Sequence, residues 1–378
     1  MALAILKHTT HIDFVGVRRY AYAFSAVVIL LGLVAIFMNG GLRYGVDFAG
    51  GVMVQIQFTR PVEDEAVKKA VADIDMPGLT VQQVGDDSRN YLLRFSVNKE
   101  GATENLRNDV NEALRLSMPD NPAGIERLEM VGPKVGGELR NMAVEALFYS
   151  VLLITVYISG RFEHSWMLAG AMAVLMWGVV YGAGWLAELI GWTGYNRLWG
   201  VAVAMAITVY LTWKFKLNFA LGAIISLLHD VFTTLGLLMV LGREIDLNII
   251  AALLTLVGYS LNDTIIVYDR IRENLKAIPE GGPRPTMDQI INRSLNQTLA
   301  RTILTSGTTL VTCISLYVLG GSVIHDFSLT LLLGILFGTF SSVYVASPVL
   351  RAFGSVDMYC SAQKRNDDYE RPDEHGIV

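Results

Sequence analysis

The stretch Leu253-Leu-Thr-Leu-Val-Gly-Tyr-Ser-Leu-Asn-Asp-Thr-Ile-Ile-Val-Tyr268 sets one carboxylate, Asp263, inside an apolar run. A charged side chain at the centre of a membrane helix costs about 2.5–3.5 kcal/mol on insertion scales, so a chain that keeps one there has a use for it. The rest of the sequence agrees with a bilayer setting. The 378 residues are 52% hydrophobic and 17% charged, with a mean hydropathy of +0.43, more apolar than an ordinary soluble domain. A net charge of −5 supplies no basic field, which excludes nucleic acid as a partner class. Of the two cysteines, Cys313 lies in an apolar run and Cys360 in a polar tail, so neither a disulfide framework nor a metal site is expected.

Outward from Asp263 the chain divides into a short cytoplasmic N-terminus (1–18), a first membrane helix (19–39), a polar domain (40–138), a helix bundle (139–350) and a polar cytoplasmic tail (351–378). The first apolar run, Tyr20 to Met38, follows Lys7, Arg18 and Arg19 but is too long for an export signal, and it reads as a retained helix. Further spans are expected near 140–160, 166–190, 197–213, 218–241, 247–269, 299–319 and 327–348. Positive residues mark the cytoplasmic side: Arg161, then Lys214 and Lys216, then Arg270, Arg272, Lys276, Arg284 and Arg293. The opposite connections, 191–196, 242–246 and 320–326, hold only Arg243. Both termini are then cytoplasmic and 40–138 is periplasmic, with the lipid bilayer between.

The periplasmic segment alternates in β fashion over 51–58, 79–84, 91–97 and 125–131, with helical patterns over 62–74 and 103–118. The order β-α-β-β-α-β is that of an α+β ferredoxin-like domain. The expected fold class is therefore a polytopic α-helical membrane protein whose transmembrane bundle carries an inserted ferredoxin-like domain.

Tyr157-Ile-Ser-Gly-Arg-Phe-Glu-His-Ser-Trp166 is echoed by Tyr210-Leu-Thr-Trp-Lys-Phe-Lys-Leu-Asn-Phe219, an offset of 210 − 157 = 53 residues. Two readings are open: chance likeness of two basic interfacial turns, or an extra helical hairpin at about 158–210 placed at the bundle periphery.

Asp263 reads as a proton-binding group in a hydrated interior, the alternative being a structural hydrogen-bonding residue. Tyr259 and Asn262 lie beside it. Arg301 opens the next apolar run, followed at helical spacing by Thr305, Thr308, Thr309 and Thr312. This stripe reads either as a proton path with Arg301 pairing Asp263 or as a snorkelling arginine with ordinary interhelical hydroxyls. Ser294-Leu-Asn-Gln297 has the form of a capping box, which sets the helix start several residues before Arg301. His229-Asp230, in the middle of another span, either extends the relay or ties helices together. Gly45, Gly50, Gly51, Gly132 and Gly136 bracket the periplasmic domain where tight turns must join it to its helices. No nucleophile–base pair, metal-ligand cluster or nucleotide loop is legible, and neither enzymatic activity nor a cofactor is expected.

Gly-Val-Asp-Phe-Ala-Gly-Gly at 45–51, Val-Gly-Pro-Lys-Val-Gly-Gly-Glu-Leu at 131–139, Gly-Tyr-Ser-Leu-Asn-Asp-Thr-Ile-Ile-Val-Tyr-Asp-Arg-Ile-Arg-Glu-Asn at 258–274 and Gln-Thr-Leu-Ala-Arg-Thr at 297–302 together resemble the SecF side of the SecD/SecF family, in the resistance-nodulation-division superfamily. The resemblance covers about 15–350 apart from the extra hairpin. It implies a subunit that pairs with SecD and uses protons to assist translocation of a preprotein through the SecYEG channel driven by SecA, with YajC and YidC as further neighbours. It also implies Asp263 and Arg301 as the proton-relay pair. The family has six spans, two fewer than counted here. The competing expectations are a proton-driven small-molecule exporter of the same superfamily and a structural scaffold for SecD.

Overall fold

The computed structural model describes residues 10–72, 74, 76, 79–84, 88–95, 106–192, 197–279 and 284–360. The expected N-terminal segment is thus described from Thr10 and the polar tail to Cys360. The ends of the patterns over 91–97 and 103–118, and most of the 191–196 connection, lie outside the described residues.

Helix α1 (Phe14–Met38) opens on Asp13, whose carboxylate accepts from the Gly16 amide at 2.8 Å. Asp13 lies on the surface, and that bond and one from Asn292 hold its carboxyl below the usual range. α1 ends in a connection that runs beside Ile245: the Gly45 amide donates to Ile245 O and the Ile245 amide to Arg43 O, each at 2.8 Å. A single turn, α2 (Val46–Ala49), follows. Gly50 then takes a φ of +76°, and a side chain there would meet the Pro133 backbone at 2.7 Å. Only glycine combines that conformation with so close an approach.

The inserted sheet domain consists of β1 (Gly51–Phe58), α3 (Asp64–Ala70), β2 (Thr80–Val84), β3 (Asn90–Phe95), α4 (Leu106–Ser117) and β4 (Ala123–Val131). The strands form one antiparallel sheet in the order β2-β3-β1-β4, as a βαββαβ chain requires. Val52 pairs Phe95 and Met130, and the β1–β4 register shifts between Gln55 and Ile56. Val52, Val54, Ile56, Tyr91 and Leu93 face α3 and α4 and bury with Val67, Val110 and Leu114. That core holds the domain together.

The bundle comprises α5 (Pro133–Glu163), α6 (Trp166–Leu189), α7 (Arg197–Lys214), α8 (Asn218–Val240), α9 (Leu247–Lys276), α10 (Met287–Leu319), α11 (Gly321–Ser341) and, after a π turn at Ser342–Ala346, α12 (Ser347–Phe353). Among the described residues seven helices are long and apolar enough to cross a bilayer, the last running continuously over Ile324–Phe353. α7, at 18 residues, is shorter. α8, α9 and α11 form the centre. α1 crosses α8 where Gly32 meets Gly236: a side chain at Gly32 would lie 2.5 Å from the Gly236 Cα. Small residues let the two backbones touch. The π turn precedes Pro348, which has no amide to continue the α-helical ladder.

Several helices outrun the apolar stretches that mark them in sequence. α9 continues to Lys276 and α10 begins at Met287, because Ile271, Leu275, Ile290, Ile291 and Leu295 pack against one another beyond the span. The capping box lies 294 − 286 = 8 residues earlier than expected. Thr286 and Gln289 form it, whereas Ser294 lies inside α10, donating to Ile290 O and accepting from Asn274. Ser294-Leu-Asn-Gln297 matches the pattern, but an upstream helical turn stabilised by Met287 and Ile290 burial overrides it.

Where the sheet meets the bundle, Arg94 on β3 pairs Glu244, Arg243 pairs Asp326 at 3.3 Å, and Asp47 accepts from the Leu247 amide at 2.9 Å. Asp246 caps α9 at Ile249. Burial beside Asp47 and Asp326 pushes the Asp246 carboxyl up, and burial holds the Arg94 guanidinium down.

Candidate functional site

Among the described residues the most deeply buried carboxylates of the bundle are Asp230 at 1% and Asp263 at 2% exposure, with Glu145 of α5 next at 8%. Asp230 sits on α8, where α1, α9 and α11 converge. One of its oxygens accepts from Ser260 at 2.6 Å and Ser341 at 2.9 Å, and the other meets His229 Nδ1 at 3.0 Å. Ser226 donates to Ser341 at 2.9 Å, and His229 Nε2 is 3.0 Å from Ser25 Oγ on α1. His229 and Asp230, adjacent in sequence and on turning faces of the helix, therefore do bond each other. The sequence offered no sign of Ser25, because a lone serine in an apolar helix has no pattern.

Ser25, His229 and Asp230 stand in the hydrogen-bond order of a nucleophilic triad, an arrangement the sequence reading did not foresee. Ser25 and His229 are both interior helical residues whose surrounding amides are engaged in the helices, so no oxyanion donors face the hydroxyl. What the row of groups can do is order a proton among them.

Asp263, on α9, faces α10 and α11. Ser306 donates to it at 3.0 Å and is itself 2.7 Å from Thr339 Oγ1; Thr305 approaches at 3.4 Å while also donating to Arg301 O and Thr302 O. Tyr259 donates to Thr309 at 3.2 Å. Thr264 lies 2.8 Å from Ser342, at the π turn.

The expected stripe divides. Thr305 and Thr309 reach inward, whereas Thr308 and Thr312 are exposed and bond back to Leu304 O and Thr308 O. Arg301 lies 301 − 287 = 14 residues into α10, is exposed, and makes no ion pair with Asp263 among the described residues. Its charge nonetheless lies near enough to act on the Asp263 carboxylate, which is enclosed behind Ser306. Asn262 is also exposed and takes no part in the cluster. Of the motif glycines, Gly136 lies against Phe48 O, where a side chain would come within 3.0 Å, Gly132 caps α5, and Gly45 and Gly51 flank α2.

The fold and this interior define a multi-pass membrane protein with buried, hydroxyl-bound carboxylates beneath an inserted sheet domain. The model of "Protein export membrane protein SecD/SecF, C-terminal" matches residues 112–191 and 194–356, and that of the "SecD/SecF GG Motif" matches 35–62. The protein translocase subunit SecF of Desulfurispirillum indicum is 37% identical over 342 residues, covering 90% of this chain and 91% of the relative. That of Magnetococcus marinus is 38% identical over 352 residues, covering 92% and 94%. The crystal structure of SecDF, a translocon-associated membrane protein from Thermus thermophilus, superposes with a TM-score of 0.63 at 30% identity, covering 93% of this chain and 39% of that one. The chain belongs to the SecD/SecF protein-export family, and its full-length likeness is to the SecF subunits.

Proposed function

We propose that this chain is a SecF-type subunit that uses the proton gradient to assist protein translocation across the cytoplasmic membrane, with Asp263 as the group that takes up and releases the proton. The observation that carries this reading is the setting of Asp263: a carboxylate enclosed among membrane helices, hydrogen-bonded to hydroxyls alone among the described residues and within reach of the Arg301 charge. Such a group changes its hydrogen bonds with its protonation state, since the acid donates where the carboxylate only accepts. Ser306, Thr339 and the π turn transmit that change to α10 and α11. One charge crossing 100 mV releases about 2.3 kcal/mol, so a few protons suffice to bias the sheet domain between two positions.

Arg301 acts at a different place from the one the sequence suggested. Its exposed head, with Thr308 and Thr312, makes α10 the face that meets SecD, because an arginine at this depth is costly against lipid. Both termini lie in the cytoplasm and the 40–138 domain in the periplasm, facing the preprotein as it leaves the SecYEG channel and the SecA motor. The abundance of Lys and Arg in the connections on one side supports this orientation. YajC and YidC belong to the same assembly in this reading.

The test is preprotein translocation into membrane vesicles under an imposed proton gradient, comparing wild type with Asp263→Asn and Arg301→Met at matched abundance. The gradient-dependent part of translocation disappears in both. If both behave as wild type, the chain is a scaffold for SecD and coupling lies elsewhere.

A further inference from the structure

The repeated turn seen in sequence is also a repeat in three dimensions. α5 ends at Glu163, His164 takes a left-handed φ of 53°, and α6 starts at Trp166. α7 ends at Lys214, Lys216 takes a φ of 57°, and α8 starts at Asn218. Helix, left-handed residue and helix thus recur, so α6 answers to α8 and α7 to α5. α5 keeps the internal position against α8 and α9, and α6 and α7 pack on its outer side through Phe148, Leu152, Met176, Val180, Val201 and Ala204.

The outer copy has lost what the inner one uses. The left-handed residues and the helix starts are 216 − 164 = 218 − 166 = 52 residues apart, and at that offset Ser226, His229, Asp230, Thr233 and Thr234 of α8 correspond to Val174, Trp177, Gly178, Tyr181 and Gly182 of α6. At the 53-residue offset of the sequence echo they correspond to Ala173, Met176, Trp177, Val180 and Tyr181, so neither register keeps the imidazole or the acid. In the inner turn, Phe162 is buried, Glu163 accepts from the Phe219 amide and Arg161 pairs Asp269 at 2.8 Å. In the outer turn, Trp213, Lys214, Phe215 and Lys216 are all exposed, and neither lysine forms an ion pair among the described residues. Lys214 lies over the Tyr210 ring instead, at 6.0 Å.

All six tryptophans of the chain lie in this hairpin: Trp166, Trp177, Trp185, Trp192, Trp199 and Trp213. They are 52% to 72% exposed. Trp166 and Trp213 share one end of the antiparallel pair, and Trp185, Trp192 and Trp199 share the other. α6 spans about 36 Å at 1.5 Å per residue, so the two groups stand at opposite surfaces of a bilayer. Tryptophan favours that level because its ring is apolar and its N–H is not.

We propose that the α6–α7 hairpin is a lipid-facing anchor and that its Trp213-Lys214-Phe215-Lys216 turn holds anionic phospholipid headgroups. The aromatic rings enter the interface and the two ammonium groups meet phosphate, each basic residue near an anionic surface adding to the attraction. The hairpin face differs in kind from the outer face of α10, which carries Arg301, Thr308 and Thr312 and needs a protein partner to cover it.

Because every tryptophan is on the hairpin, the emission of the unmodified full-length chain reports on this surface alone. The chain is reconstituted in phosphatidylcholine bilayers containing the same mole fraction of either brominated phosphatidylglycerol or brominated phosphatidylcholine. We expect loss of most of the emission with both lipids and a greater loss with the anionic one, and Lys214→Gln with Lys216→Gln removes the difference while leaving the emission otherwise quenched. Equal quenching by the two lipids in the wild type overturns the headgroup assignment. Emission that brominated lipid does not reach overturns the anchor itself: a helix seated on the open Gly178 and Gly182 would shield Trp177 and Trp185 in that way.

Discussion

Asp230 and Asp263 are equally enclosed, yet the protein treats them differently. Asp230 receives three donors, Ser260, Ser341 and His229, and two of these are held in turn by Ser226 and Ser25. Asp263 receives Ser306 and, at 3.4 Å, a Thr305 hydroxyl whose single proton also serves two backbone carbonyls. The first is a closed network tying four helices; the second is an open one, one helix away from the exposed face of α10. A buried carboxylate held by three donors, themselves held by others, is a joint, whereas one with fewer has room to exchange partners.

Substitutions at these two residues separate the roles. Asp263→Asn abolishes the gradient-dependent part of translocation while costing under about 1 kcal/mol of stability, since the amide oxygen still accepts from Ser306. Asp230→Asn shows the opposite bias. The amide oxygen can still accept from Ser260 and Ser341, but the amide nitrogen faces His229 Nδ1, so the imidazole must hold its proton on Nε2 and the charge-assisted bond is lost, at a cost of about 1–3 kcal/mol read as a lower thermal midpoint in detergent. If Asp230→Asn leaves the midpoint unchanged and Asp263→Asn lowers it, the assignment of joint and exchanger is reversed. Ser306→Ala is milder: it removes the better donor to Asp263 and the link to Thr339, so gradient-dependent translocation falls but persists, with a stability cost of about 1 kcal/mol. An unaffected rate would show that Asp263 does not act through Ser306.

How much of this was legible beforehand depends on the period of the signal. The sheet domain was readable because strand alternation and helix periodicity are local, and β1 at Gly51–Phe58 coincides with the alternating run. The acids inside the spans stood out because charge in an apolar run is conspicuous. Ser25, Ser260, Ser341 and Thr339 did not, since a hydroxyl in a membrane helix also bonds back to its own carbonyls and only tertiary packing decides which it does. Whether Arg301 closes on Asp263 or acts on it only through space was not legible for a related reason: sequence gives the depth of a residue along a helix but not which neighbour its face meets. The hairpin was visible as an echo, while its lost polar positions acquire meaning only when α6 is set beside α8.

A third acid, Asp246, sharpens the contrast from outside the spans. It caps α9, is buried beside Asp47 and Asp326, and its carboxyl is pushed up by that burial despite accepting from the Ile249 amide. A raised acid destabilises the fold while ionised, above its shifted value, and ceases to do so as falling pH protonates it. Asn caps a helix about as well as Asp. Asp246→Asn therefore raises the thermal midpoint slightly at neutral pH, and the gain begins to shrink as pH falls to the raised value and vanishes at the ordinary carboxylate value, below which the folded and unfolded wild type are both protonated. If the variant is instead less stable at neutral pH and converges with wild type on acidification, then Arg94 and Arg243 compensate the charge fully. Asp246 would then belong with Asp230 as a joint, here between the sheet domain and the bundle.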